Sequence, residues 1–116
     1  ITMAAIKKID KEFCHKDFFF KQIHREQEYA IYERWFKDTP EKKHYEVIKI
    51  QSHNGYAIAG KMYPPSEFYP SANSWGLYGF TSISKELAYK RLDKFISEDK
   101  IREEEKRKRE NEKKRS

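Results

Sequence analysis

The sequence has one cysteine, four glycines and no long apolar run, and each shortage closes off a class of protein. A lone thiol, Cys14, cannot form an intramolecular disulfide, so a disulfide-stapled secreted scaffold is excluded and a reducing compartment is expected. No stretch approaches the ~20 apolar residues that a membrane-spanning helix needs. No leader pattern is evident either, so the expectation is a soluble, cytoplasmic protein, acting inside a host cell, with a native start at Met3. Four glycines leave little to cradle a phosphate, and Walker-type loops, HExxH and GxSxG are all missing. Neither an enzyme, a cofactor nor a small-molecule substrate is expected. Cys14, His15, His24, His44 and His53 lack the paired spacing of a zinc site, so no metal is expected. Nothing marks Cys14 as an activated nucleophile.

What the chain has in quantity is aromatic residues and charge. Eight Phe, eight Tyr and two Trp stand among 116 residues, enough bulky side chains to build the core of one small domain. Hydrophobic residues make up 37% and charged ones 38%. The formal charge is +6, and most of that excess lies in residues 84–116, with thirteen Lys/Arg against nine Asp/Glu. A basic balance favours acidic partners such as nucleic acid. Frequent Lys, Ile, Asn, Phe and Tyr suggest an AT-rich coding source, such as a low-GC bacterium, a phage or a parasite.

Hydrophobic periodicity suggests the order αβββα, an α+β fold. Phe20, Ile23, Ala30, Ile31 and Trp35 recur at helical spacing, so residues 1–40 read as a helical segment of one helix or two, with Asp17 a candidate cap. Tyr45–Gln51 and Tyr56–Tyr63 flank Asn54-Gly55 and read as a β-hairpin, because both turn residues tolerate positive φ. Pro64, Pro65 and Pro70 force an irregular loop through Ser74. Trp75–Ser82 then reads as a third strand, followed by a helix capped by Ser82 or Ser84. Leu87, Ala88, Leu92, Phe95 and Ile96 form its apolar stripe. Hairpin, third strand and packing helix make up residues 41–98, and residues 99–116 form a charged helical tail. In that tail Glu103–Arg107, Glu104–Lys108, Glu105–Arg109 and Glu110–Lys114 are acid-before-base pairs that support a solvated rod.

Three stretches carry resemblances to nucleic-acid-binding families. Tyr78-Gly79-Phe80 resembles the aromatic-Gly-aromatic core of RNA recognition domains, where such a strand stacks bases. The αβββα order with Ser84-Lys85-x-x-Ala88 is similar to double-stranded-RNA-binding domains, which implies a phosphate contact at Lys85. Gly79-Phe80-Thr81 with Ala88 resembles the sheet-plus-helix DNA-binding domains of integrase arms and plant ethylene-response factors. Each covers residues 44–95, and none fixes a family.

The leading expectation is a small non-enzymatic basic protein that binds RNA or single-stranded nucleic acid in preference to duplex DNA. Lys85, Lys90, Arg91, Lys106, Arg107, Lys108 and Arg109 would neutralise phosphates; the plainer alternative for the last four is a solvated charged helix. Tyr63, Phe68 and Tyr69, in or beside the proline loop where burial is difficult, would form a contact surface. Trp75 and Tyr78 would stack with them, or else serve the core together with Phe80. The competing expectation is a phage or mobile-element inhibitor or adaptor of anti-CRISPR type. It would grip a nucleic-acid-handling enzyme with the aromatic loop and the charged helix.

Overall fold

Where periodicity suggests an N-terminal helix, the chain forms three antiparallel strands. They are β1 (Glu12–His15), β2 (Phe18–Glu26) and β3 (Tyr29–Phe36), in a computed structural model that describes residues 6–115. The part of the expected helix before residue 6 lies outside the described residues. Two physical features disguise the strands as a helix. The β1–β2 and β2–β3 turns use Lys16 (φ 50°), Asp17 (φ 66°) and Gln27 (φ 55°) in the left-handed region. Glycine or asparagine would normally signal such turns. Moreover, Tyr29, Ala30, Ile31 and Tyr32 are all fully buried in succession, because both faces of β3 are covered. A strand buried on both faces shows a continuous apolar run in place of alternation.

The remaining elements are β4 (Thr39–Lys49), β5 (Gln51–His53), β6 (Tyr56–Ile58), β7 (Lys61–Tyr63), β8 (Ser66–Phe68), β9 (Gly79–Ser82) and α1 (Lys85–Arg115). The expected three-stranded sheet is thus a five-stranded antiparallel one, in the order β1-β2-β3-β4-β9, beside two-stranded ladders β5–β8 and β6–β7. The hairpin expected at Asn54-Gly55 does not form. Val47 pairs with Ile31 on one side and Phe80 on the other, so β4 has no free edge to offer over Tyr45–Ile48. Residues 56–63 fold on themselves instead, turning at Ala59 (φ 51°) and Gly60 (φ 79°). The proline segment is partly regular, since β8 pairs with β5 and Ala72–Ser74 forms a 3-10 turn. The third strand is shorter than expected: Trp75–Tyr78 make a turn, with Gly76 N–H donating to the Gly79 carbonyl at 2.7 Å.

One face of the sheet receives α1. Ser84 caps the helix by accepting the Leu87 N–H at 3.2 Å, and Ala88, Leu92 and Phe95 pack on Tyr29, Ile31 and Val47. Phe80 meets Phe95 edge-on at 5.0 Å. It is a core residue, so the likeness of Tyr78-Gly79-Phe80 to a base-stacking strand ends there. At the end of the packed region Asp99 is 2% exposed. It accepts from the Tyr29 hydroxyl at 2.7 Å and pairs with Lys49 at 2.7 Å. Burial and this carboxylate push the Tyr29 hydroxyl well above the ordinary tyrosine range. Beyond Ile101 the helix runs on largely exposed, and no helix among the described residues is long and apolar enough to cross a membrane.

The opposite face carries Phe20, Ala30, Tyr32, Ile48 and Ile50. It is covered by Phe13, Tyr69 and Trp75 and by a strap built from the N-terminal segment and residues 64–78. Glu67 clamps this strap. Its carboxylate takes both Arg25 amino groups, at 2.9 and 2.7 Å, and the Ile9 N–H at 3.0 Å.

Candidate functional site

The strap leaves a cavity of about 620 Å³ against the face opposite the helix. Three neighbouring strands contribute polar side chains to it: Arg34 from β3, Glu46 from β4 and Thr81 from β9. Glu46 lies directly across from Thr81 in the β4–β9 register. Strand alternation explains the placement, because Tyr45 and Val47 face the helix while Glu46 and Ile48 face the strap. Aromatic rings form the walls. Phe13 stacks on Phe20 at 4.5 Å and meets Tyr69 edge-on at 5.6 Å, and Tyr69 lies nearly parallel to Trp75 at 6.3 Å. Trp75 Nε1 donates to Thr81 Oγ1 at 3.0 Å, which fixes the indole.

Glu46 is 4% exposed. Its Oε1 accepts the Tyr69 hydroxyl at 2.5 Å, and its Oε2 lies 3.4 Å from Arg34 Nη1. Burial, followed by the adjacent Glu46 charge, pushes the Tyr69 hydroxyl far above its ordinary range, so it stays a donor. Arg34 spreads its guanidinium over the Phe18 ring at 4.9 Å. A hydrogen-bonding edge beside flat apolar walls can hold a planar ring and read its rim. Cys14 and His15 also line the cavity, yet no hydrogen bond among the described residues joins Cys14 to a histidine.

The expected site residues do not come together. Tyr69 and Trp75 line the cavity. Tyr63 stacks on Tyr56 at 4.9 Å in the β6–β7 hairpin, under Lys61, and exposed Phe68 lies 5.9 Å from His53. Tyr78 has Lys49 over its ring at 5.6 Å. Lys85 and Lys90 are exposed on α1, with Lys90 paired to Glu86 at 3.6 Å. Arg91 is half-buried and lies on the Phe80 ring at 3.8 Å, which gives it a packing role. Lys106, Arg107, Lys108 and Arg109 lie on the part of α1 beyond the sheet; of the four tail pairs only Glu104–Lys108 closes, at 3.7 Å. The helix and the aromatic cavity occupy opposite faces of the sheet.

Arg34, Glu46, Thr81, Phe13 and Phe20 are the residues that sequence reasoning missed. One signal was available: Glu46 interrupts an apolar strand at a position that shares a face with Ile48. Arg34 carries no comparable signal, because the apolar residues around it recur at helical spacing. An acidic group of Glu28, Asp99 and Glu103 has oxygens within 4.8 Å of one another. Two of the three are already paired with cations: Lys49 Nζ lies 2.7 Å from Asp99 and 2.6 Å from Glu103, and Arg102 lies 3.3 Å from Asp99.

Compared with protein-family models, with curated proteins and with solved structures, the chain matches none.

Proposed function

We propose that this protein binds single-stranded nucleic acid, RNA in preference to duplex DNA, and works in the cytoplasm by lodging one unpaired base in the aromatic cavity. The observation that carries the reading is the combination of Phe13, Tyr69 and Trp75 walls with a hydrogen-bonding edge made of half-buried Arg34 and buried Glu46. A base inside a duplex cannot enter such a recess, whereas an unstacked one gains about 1–3 kcal/mol by stacking on an aromatic side chain. Exposed Lys16 of the β1–β2 turn, next in sequence to the cavity-lining His15, would meet a flanking phosphate. The helix cations, across the sheet, form a separate electrostatic surface.

Trp75→Ala should weaken binding of a labelled single-stranded RNA by about tenfold or more, with far-ultraviolet circular dichroism unchanged. Affinity should fall modestly with salt, at a log–log slope of about 0.7 per phosphate neutralised. Equal competition by duplex DNA, or an affinity indifferent to both Trp75→Ala and salt, would sink the reading.

A second reading is favoured by the β6–β7 hairpin, where Ile58 is 62% and Met62 76% exposed. A two-stranded hairpin with its apolar side chains in water suits a protein partner. The chain would then be an inhibitor or adaptor of a nucleic-acid-handling enzyme. Capture of one stoichiometric protein, lost in Ile58→Asp and with no retention on nucleic acid, selects this reading over the first.

A further inference from the structure

We propose that the base accepted by the cavity is guanine, recognised along its Watson–Crick edge; this rests on the single-strand reading above. A carboxylate only accepts hydrogen bonds and a guanidinium only donates them, so the pair defines the complementary ligand edge. Glu46 Oε2 and Arg34 Nη1 lie 3.4 Å apart on adjacent strands, and a ligand meeting both must present donors beside an acceptor. The carboxylate is the deeper of the two, its side chain 6% exposed against 29% for Arg34. It has about four acceptor sites. Tyr69 fills one of these at 2.5 Å, and Arg34 approaches the other oxygen. A carboxylate so removed from water gains most from a ligand that brings two donors at once. Guanine does this, with N1–H and the N2 amine side by side, and its O6 falls next to them, where a guanidinium donates. Cytosine and adenine turn one amine donor toward such a pair and uracil one imine donor, each leaving the carboxylate less satisfied. The indole of Trp75 is pinned by Thr81 and stacks with Tyr69 at 6.3 Å and 22°, which fixes an apolar wall beside this edge.

The test uses the full chain and competition among short uridine oligonucleotides carrying one central guanosine, inosine, adenosine or cytidine. The guanosine strand should bind about tenfold tighter than the adenosine, cytidine and all-uridine strands. Inosine keeps N1–H and O6 but lacks the N2 amine, and it should lose most of that advantage. Glu46→Gln should level the series. Because that variant removes a buried charge from Arg34, the inosine comparison on the unaltered chain stands independently of it. Equal binding of guanosine and inosine strands, or a preference for cytidine, overturns the guanine assignment while single-strand binding stands. Failure of every oligonucleotide to bind overturns the underlying reading itself.

Discussion

Gly79 shows how a single residue sets the cavity wall. A Cβ added there would meet three atoms of the Trp75 ring at 2.5–2.8 Å, so the indole lies directly on the glycine. Trp75 is also tied to Thr81 and cannot slide away without losing that hydrogen bond. Gly79→Ala should therefore destabilise the fold by about 1–3 kcal/mol, as overpacking does. It should also change Trp75 fluorescence and weaken single-strand binding. An unchanged melting temperature together with an unchanged spectrum would contradict this placement of the indole. The glycine is visible in the sequence but its reason is not, because the contact is made across a turn rather than along a strand. Arg91 carries the converse lesson. A cation on a helix suggests phosphate, but packed on Phe80 it serves the core.

Helix α1 divides into two parts with different energetics. From Ala88 to Asp99 it is fastened to the sheet by buried side chains and by the Asp99–Lys49–Tyr29 cluster. Past Glu103, which still reaches Lys49 at 2.6 Å, nothing apolar remains to bury. Short helices unsupported by packing are marginal in water. Phe95→Ala should cost about 3–5 kcal/mol, whereas deletion of residues 104–116 should lower stability by less than about 1 kcal/mol. Thermal or urea unfolding of both variants checks the contrast, and a large loss on truncation would mean that the rod packs on something. This helix was legible in the sequence from its stripe and its cap. The strands before residue 40 were not, because their turns lack glycine and proline and both faces of β3 are buried. Apolar residues then fall at spacings a helix would also produce.

For the whole molecule, the strap that roofs the cavity is held by a half-buried ion pair, Arg25–Glu67, that joins β2, β8 and the N-terminal segment. Arg25, ahead of the Ile9 N–H and Lys8, holds the Glu67 carboxyl at about 2, against an ordinary value of 4.5. A carboxyl depressed in the folded state contributes stability that is full above its unfolded pKa and is lost as pH falls through the folded one. The shift corresponds to roughly 3 kcal/mol, present at neutral pH and lost between about pH 4.5 and 2. Melting temperatures should drop over that window, and Glu67→Gln should be less stable at pH 7 with a flatter acid limb. A variant retaining the full acid dependence would place the sensitivity elsewhere, Asp99 being the other carboxyl held below its ordinary range by Lys49 and Tyr29. By itself the sequence determined an aromatic core, a basic balance concentrated at the C-terminus and a capped, half-amphipathic final helix. Composition and local periodicity suffice for those. Only the tertiary structure decided that residues 12–36 form three strands, that β4 is an interior strand, and that aromatic wall and basic rod lie on opposite faces. Strand pairing joins residues far apart in sequence, and with turns built from ordinary residues nothing local announces which partners will meet.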